Sequence, residues 1–183
     1  MSVTSAAALV GTRGLQALLD NNTSIYVTDD RPGTERRYRA RFYFDPNTIR
    51  MTSGNTHYIF YGYQGNNTLM IRLEFRFYSG AYSIRLSDRL DSGLWVYTSW
   101  VTLSDLSHFI EFDWQSATAA GANNGYLTLW LDGVQQAAFT GQDTDTRRVD
   151  RVRLGAVDGV DTGTRGTYYF DAFDSRRTNY IGP

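Results

Sequence analysis

Glu111, Phe112 and Asp113 begin the only stretch of this chain whose spacing suits acid–base work. Retaining cleavage of a glycosidic bond uses two carboxyl groups about 5 Å apart, one protonated and one ionised. A strand turns alternate side chains to one face, so the pattern E-x-D-x-E or E-x-D-x-x-E would present two glutamates together. Gln115 and Ser116 stand where the second glutamate is needed, and neither can exchange a proton usefully. The chain has three glutamates in all, Glu35, Glu74 and Glu111. Glu111 and Asp113 are therefore expected to face solvent opposite arginines of a neighbouring strand.

Elimination chemistry on a uronate would want a tyrosine and a histidine as acid and base. The two histidines are His57, beside Tyr58 at the start of an aromatic run, and His108, ahead of Phe109. No Ser-His-Asp order, phosphate loop or histidine-based metal constellation is apparent. The absence of cysteine removes thiolate nucleophiles, thiolate metal sites and disulfides. The chain is thus expected not to be an enzyme. Weak glycoside hydrolase or polysaccharide lyase activity is the remote alternative.

The elements that would position these groups are strands. Tyr38, Ala40, Phe42 and Phe44 alternate with Arg37, Arg39 and Arg41, and Ile71, Leu73, Phe75 and Phe77 alternate with Arg72, Glu74 and Arg76. Further strands are expected at Gly14 to Leu18, Ser24 to Thr28, Tyr58 to Tyr63, Tyr82 to Leu86, Trp95 to Leu103, Phe109 to Gln115, Tyr126 to Leu131, Val134 to Thr140, Asp150 to Leu154 and Thr167 to Ser175. Ser79-Gly80 and Asp132-Gly133 are hairpin turns. Only Val3 to Leu9 has helical composition, and it is too short to matter. With 13 Tyr and 10 Phe, the aromatic content suits pleated, half-buried surfaces. The reading is one all-β domain over residues 1–183, a two-sheet antiparallel sandwich.

Two strands carry apolar or aromatic groups on both faces: Tyr58 to Tyr63, and Leu94 to Trp100, with Trp95 and Tyr97 on one side and Val96 and Trp100 nearer the other. Such a strand is covered by another surface or exposed for a ligand. Tyr61, Tyr63, Trp95 and Tyr97, with Arg85 and Gln64 beside them, would form a platform for sugar rings. Aromatic faces would stack on the sugar's C–H faces while the polar side chains read its hydroxyls. The net charge of -1 gives no reason to expect nucleic acid, although all 18 basic residues are arginine. No apolar stretch is long enough to insert in a membrane. Asp29-Asp30, Asp143 with Asp145, and Asp158 with Asp161 are acidic pairs that could contribute oxygens to calcium.

The second half of the chain carries an ordered set of motifs. Gly125-Tyr126-Leu127-Thr128-Leu129-Trp130-Leu131-Asp132-Gly133 resembles the G-x-L-x-L-x-x-D-G hairpin of laminin-G-like, concanavalin A-like domains. His108 to Trp114 resembles the preceding H-x-V-x-x-x-W strand. Val152-Arg153-Leu154-Gly155 and Tyr169 to Phe173 resemble the closing strands of that group. The resemblance implies a jelly roll of the kind found in secreted bacterial proteins, polysaccharide-binding modules and adhesins. It also implies a structural calcium, with Asp171 in the closing strand joining Asp29 and Asp30 as candidate ligands. The expectation is a non-catalytic, extracellular carbohydrate-binding or adhesion module within a larger secreted or cell-surface protein. Its partner would be a polysaccharide or glycan. The alternative is a self-assembling surface-layer, adhesin or filament subunit whose partners are neighbouring protein subunits.

Overall fold

Alternating apolar residues, with Gly and Asx at the turns, make every regular element of the chain a strand. The computed structural model describes all residues from Met1 to Pro183 and contains no helix. In chain order the strands are β1 (Ser2–Thr4), β2 (Gly14–Leu19), β3 (Ile25–Asp29), β4 (Arg37–Asp45), β5 (Thr56–Gln64), β6 (Thr68–Tyr78) and β7 (Ala81–Arg89). They continue as β8 (Trp95–Tyr97), β9 (Val101–Leu103), β10 (His108–Gln115), β11 (Gly125–Leu131), β12 (Val134–Gln142), β13 (Arg151–Asp158) and β14 (Gly166–Arg176).

Two antiparallel sheets pack face to face as a sandwich. The first runs β1-β2-β14-β4-β10-β11-β12, and the second runs β3-β13-β5-β6-β7-β8, with β9 also on β7. Phe42, Phe44, Phe112, Trp114, Tyr168 and Phe170 of the first sheet are fully buried with Phe60, Leu73 and Phe75 of the second. Phe42 stacks on Phe60, and Phe44 meets Phe75 edge-on, across the two layers. One core of 31 buried residues results.

Both expected hairpin turns form. Ser79 and Gly80 have φ of 51° and 84°, and Asp132 and Gly133 have 50° and 78°. Two successive positive values are what a tight two-residue hairpin requires.

Two local expectations fail. Trp95 to Leu103 is not one strand: β8 pairs with Ser87–Arg89 and β9 with Tyr82–Ile84, leaving Thr98 to Trp100 outside the ladder. The cause lies in Thr98, whose Oγ1 accepts the Leu86 N–H at 3.0 Å while its own N–H donates to the Leu86 carbonyl at 2.9 Å. A side chain thereby takes a backbone position in the ladder. The expected set of strands also lacked β1, since Ser2–Thr4 pairs with β2.

Candidate functional site

Glu111 and Asp113 do not face solvent. They lie opposite Arg41 and Arg39 in the β10/β4 register, as alternation requires, but both are buried. The C-terminal segment crosses over them. Glu111 Oε1 and Oε2 accept the N–H groups of Ile181 and Gly182, each at 3.0 Å. Arg39 lies 3.4 Å from Glu111 and 3.1 Å from Asp113, and Arg37 pairs with Asp113 at 2.7 Å. Trp130 points away from buried Leu127, Leu129 and Leu131, and Arg39 stacks on both Trp130 and Tyr180. Glu111, the best candidate acid, is thus a tail anchor with no access to a substrate.

The histidines are equally committed. His57 is buried in the core, stacked on Tyr168 and edge-on to Phe75, and burial pushes its pKa down to about 4. His108 bridges Asp132, at 2.6 Å from Nδ1, and Ser104, at 2.8 Å from Nε2. The sequence order gave no hint of this Ser104–His108–Asp132 chain, because the hairpin turn brings Asp132 back from 24 residues downstream. A carboxylate only accepts, so Nδ1 carries the proton and Nε2 accepts from the serine hydroxyl. The arrangement has the connectivity of a nucleophilic triad. Neither of the protein's main cavities touches it, and Asp132 Oδ1 is already taken by the Phe109 N–H at 2.9 Å. It closes the mouth of the hairpin.

The outward face of the second sheet is different in kind. Thr28, Arg153, Tyr61, Arg72, Ser87 and Tyr97 are successive register partners across β3, β13, β5, β6, β7 and β8. The neighbouring row is Tyr58, Glu74 and Arg85. Each guanidinium lies over a ring. Arg72 sits 3.7 Å from the centre of Trp95, Arg76 3.8 Å from Trp100, Arg85 4.7 Å from Tyr97, and Arg153 4.5 Å from Tyr26. Arg72 also donates to the Tyr97 hydroxyl at 2.6 Å, and Arg85 pairs with Glu74 at 2.6 Å.

Five of the expected sugar contacts belong to this face, with changes. Trp95, Tyr97 and Arg85 come together around Arg72, Arg85 and Trp100. Trp100 joins their side rather than the opposite one because the chain leaves the ladder at Thr98. Tyr61 and Tyr63 face the same way but are buried in a small cluster with Val157. The Tyr61 hydroxyl donates to Asp158 at 3.1 Å, and burial raises the pKa of Tyr58, Tyr61 and Tyr63. Gln64 ends β5 and donates to the Thr146 carbonyl at 3.1 Å. Arg72, Arg76, Arg153, Tyr26 and Tyr58 were not among the expected contacts, and Trp100 was expected on the other side. Their alternation marked an outward face without revealing which strands lie side by side.

The candidate calcium ligands are dispersed. Asp29 accepts the Arg31 N–H at 2.9 Å, Asp30 pairs with Arg151, and Asp171 Oδ2 accepts from Leu9 and Val10 at 2.9 and 2.8 Å. Asp29 and Asp171 instead line an apolar groove of about 300 Å³ with Leu15, Val27, Leu154 and Phe173. The carboxylates that do converge are Asp91, Asp143 and Asp145, whose oxygens lie within 4.8 Å of one another. Oxygen donors of that kind suit a hard cation. Arg147 already pairs with Asp91 at 3.1 Å. Asp91 joins the other two through its N–H to the Asp143 carbonyl, a contact with no sequence signal.

No family model matches the chain. No curated protein matches it in sequence. Solved structures do share its fold. An endo-β-1,4-glucuronan lyase from the fungus Trichoderma reesei aligns with a TM-score of 0.64 at 15% identity, covering 97% of this chain and 86% of the lyase. A polysaccharide lyase of family 18 aligns at 0.59 and 9% identity, covering 97% and 95%. The ligand-binding domain of botulinum neurotoxin serotype D, in complex with N-acetylneuraminic acid, aligns at 0.57 and 10% identity. The chain covers 44% of that toxin domain and 93% of its own length. These likenesses establish the jelly-roll sandwich.

Proposed function

We infer that the chain is a non-catalytic glycan-binding module working through the outward face of the second sheet. The observation that carries this reading is the row of arginines and aromatic rings in register across its strands. Rings offer apolar faces, and guanidiniums offer planar donor edges, the two chemistries a sugar chain presents in return. The structural likeness to a glucuronan lyase, to a polysaccharide lyase of family 18 and to a toxin domain complexed with N-acetylneuraminic acid supports a glycan as partner. An extracellular setting as an adhesion or polysaccharide-binding module follows from that partner.

The engagement of this face's ionisable groups supports binding over lyase chemistry: Glu74 pairs with Arg85, and Asp158 accepts from Tyr61. A lyase must withdraw the proton beside the uronate carboxyl, which calls for a group ionised near neutral pH. Burial pushes the pKa of Tyr58, Tyr61 and Tyr63 up, away from that range, and His57 lies on the core side of β5. The test is affinity electrophoresis of the whole chain on a broad panel of soluble polysaccharides. Retardation without appearance of unsaturated products is the expected result. Passage through every gel unretarded, with and without calcium, overturns the reading.

A further inference from the structure

The two outward faces of the sandwich treat their arginines in opposite ways. On the first sheet Arg37 and Arg39 are matched to Glu111 and Asp113, and the C-terminal segment covers them. On the second sheet Arg72, Arg76, Arg89 and Arg153 have no carboxylate partner. Glu74 is engaged by Arg85, and Asp158 accepts from Tyr61 and from the Gly159 N–H. Arg41 of the first sheet also lacks a carboxylate and donates to the Ala172 carbonyl at 3.1 Å, but on the second sheet four such arginines share one face.

The geometry fixes what those guanidiniums can do. The guanidinium carbons of Arg72 and Arg76 lie 3.7 and 3.8 Å from the centres of the Trp95 and Trp100 rings, so each covers one ring face on which a neutral sugar would otherwise stack. Ring stacking uses the flat of a guanidinium and leaves its edge to hydrogen bonds, and the N–H groups not already held by neighbouring residues suit carboxylate or sulfate oxygens. Arg72 is braced from both sides, with Nε toward Ser87 Oγ at 3.4 Å and Nη2 on the Tyr97 hydroxyl at 2.6 Å. Arg153 is held over Tyr26 and Tyr63, and its Nε is buried without a partner. Tyr61 separates Arg153 from Arg72 in the register, which sets the two arginines two strand spacings apart, roughly 9–10 Å. A side chain held in place gives up less freedom on binding than a mobile one.

We propose that the ligand of this face is an acidic polysaccharide whose anionic groups are read by Arg72 and Arg153, with Arg76 and Arg89 extending the positive track. The assignment rests on the reading of this face as a glycan site. It goes further by naming the chemistry: repeated carboxylate or sulfate groups along a sugar chain running across the strands.

The experiment is titration calorimetry of the intact chain against matched oligosaccharides that are neutral, carboxylated or sulfated, with single-stranded DNA as a polyanion without sugar acids. The proposal expects one or both acidic series to bind at least ten-fold more tightly than the neutral series, and added salt to weaken that binding. The carboxylated and sulfated arms tell which anion is preferred. Arg72→Gln and Arg153→Gln should each weaken acidic binding about ten-fold, the worth of one charge-assisted contact. Arg13→Gln, in the apolar groove, should leave it unchanged, and melting curves check that each variant is folded. Neutral chains binding as tightly as acidic ones would overturn the proposal and leave the glycan site standing. DNA binding as tightly as the acidic sugars would reduce the face to a generic polyanion surface and also overturn it. No binding in any arm would remove both readings.

Discussion

Arg72 lies with its guanidinium carbon 3.7 Å from the centre of the Trp95 ring, while its Nη2 donates to the Tyr97 hydroxyl at 2.6 Å. One side chain from β6 thus ties down half-buried Trp95 and exposed Tyr97 of β8, a strand of three residues at the edge of the sheet. A strand so short has little ladder of its own. Its position depends on this stack. In a double-mutant cycle, Arg72→Ala and Trp95→Ala should couple by about 0.5–2 kcal/mol in thermal or chemical denaturation. Additive effects would mean that the stack contributes nothing to the edge.

Glu111 should behave as a structural anchor. Its carboxylate is fully buried, receives two backbone N–H groups from the tail and faces Arg39. Glu111→Gln keeps the shape but removes the charge that Arg39 and the tail require. The expected cost is about 2–3 kcal/mol in chemical denaturation, with glycan affinity unchanged. A loss of affinity without loss of stability would move the binding site to the first sheet.

Two buried groups should set opposing limbs of the pH–stability curve. His57 has its folded pKa lowered from 6.5 to about 4. The unfolded chain therefore takes up a proton first as pH falls, and about 3 kcal/mol is lost between pH 6.5 and 4. Asp88 has the reverse sign. Burial raises its pKa from 3.8 to about 7, with Trp114 Nε1 donating to Oδ1 at 3.0 Å and Oδ2 without a partner. Its contribution is full below pH 3.8 and declines by about 4 kcal/mol as pH rises to 7. Because the two limbs overlap and oppose, calorimetry should find a nearly level curve between pH 4 and 6.5. Asp88→Asn should remove the descending limb, so that the variant gains stability over wild type as pH rises toward 7. An Asn variant with no such gain would show that Asp88 is accommodated as a charge.

Ser104, His108 and Asp132 should act as a clip. The array has a triad's connectivity, but neither main cavity adjoins Ser104, and Asp132 is itself tied to the Phe109 N–H. Fluorophosphonate probes should leave Ser104 unlabelled, and His108→Ala should lower stability by about 1–2 kcal/mol by freeing the β11/β12 turn. Labelling that vanishes in the His108 variant would make the serine a nucleophile.

Strand content, the two hairpin turns and the split between inward and outward residues were legible because a period of two and positive-φ turn residues are local properties. Trp95 to Leu103 misled because Thr98 trades a side-chain oxygen for a backbone ladder position, which no apolar pattern records. The site was legible only in fragments. Trp95 and Tyr97 were visible as residues on a strand too aromatic for one core face, with Arg85 expected beside them. Arg72 and Arg153 read as ordinary polar positions until the register placed Tyr61 between them. Tyr61 and Tyr63 are outward but packed beneath their neighbours, a distinction that burial decides and alternation cannot. Glu111 was expected to face solvent, but it is buried beneath a tail 70 residues away, which no local pattern records.

The account stands most directly on where a bound oligosaccharide touches the protein. Backbone amide shifts recorded during titration with an oligosaccharide the chain retains should change along β5, β6, β7, β8 and β13, strongest around Arg72, Trp95, Tyr97 and Arg153. Shifts confined to β4, β10 and β11, or to the groove lined by Leu15 and Phe173, would contradict it.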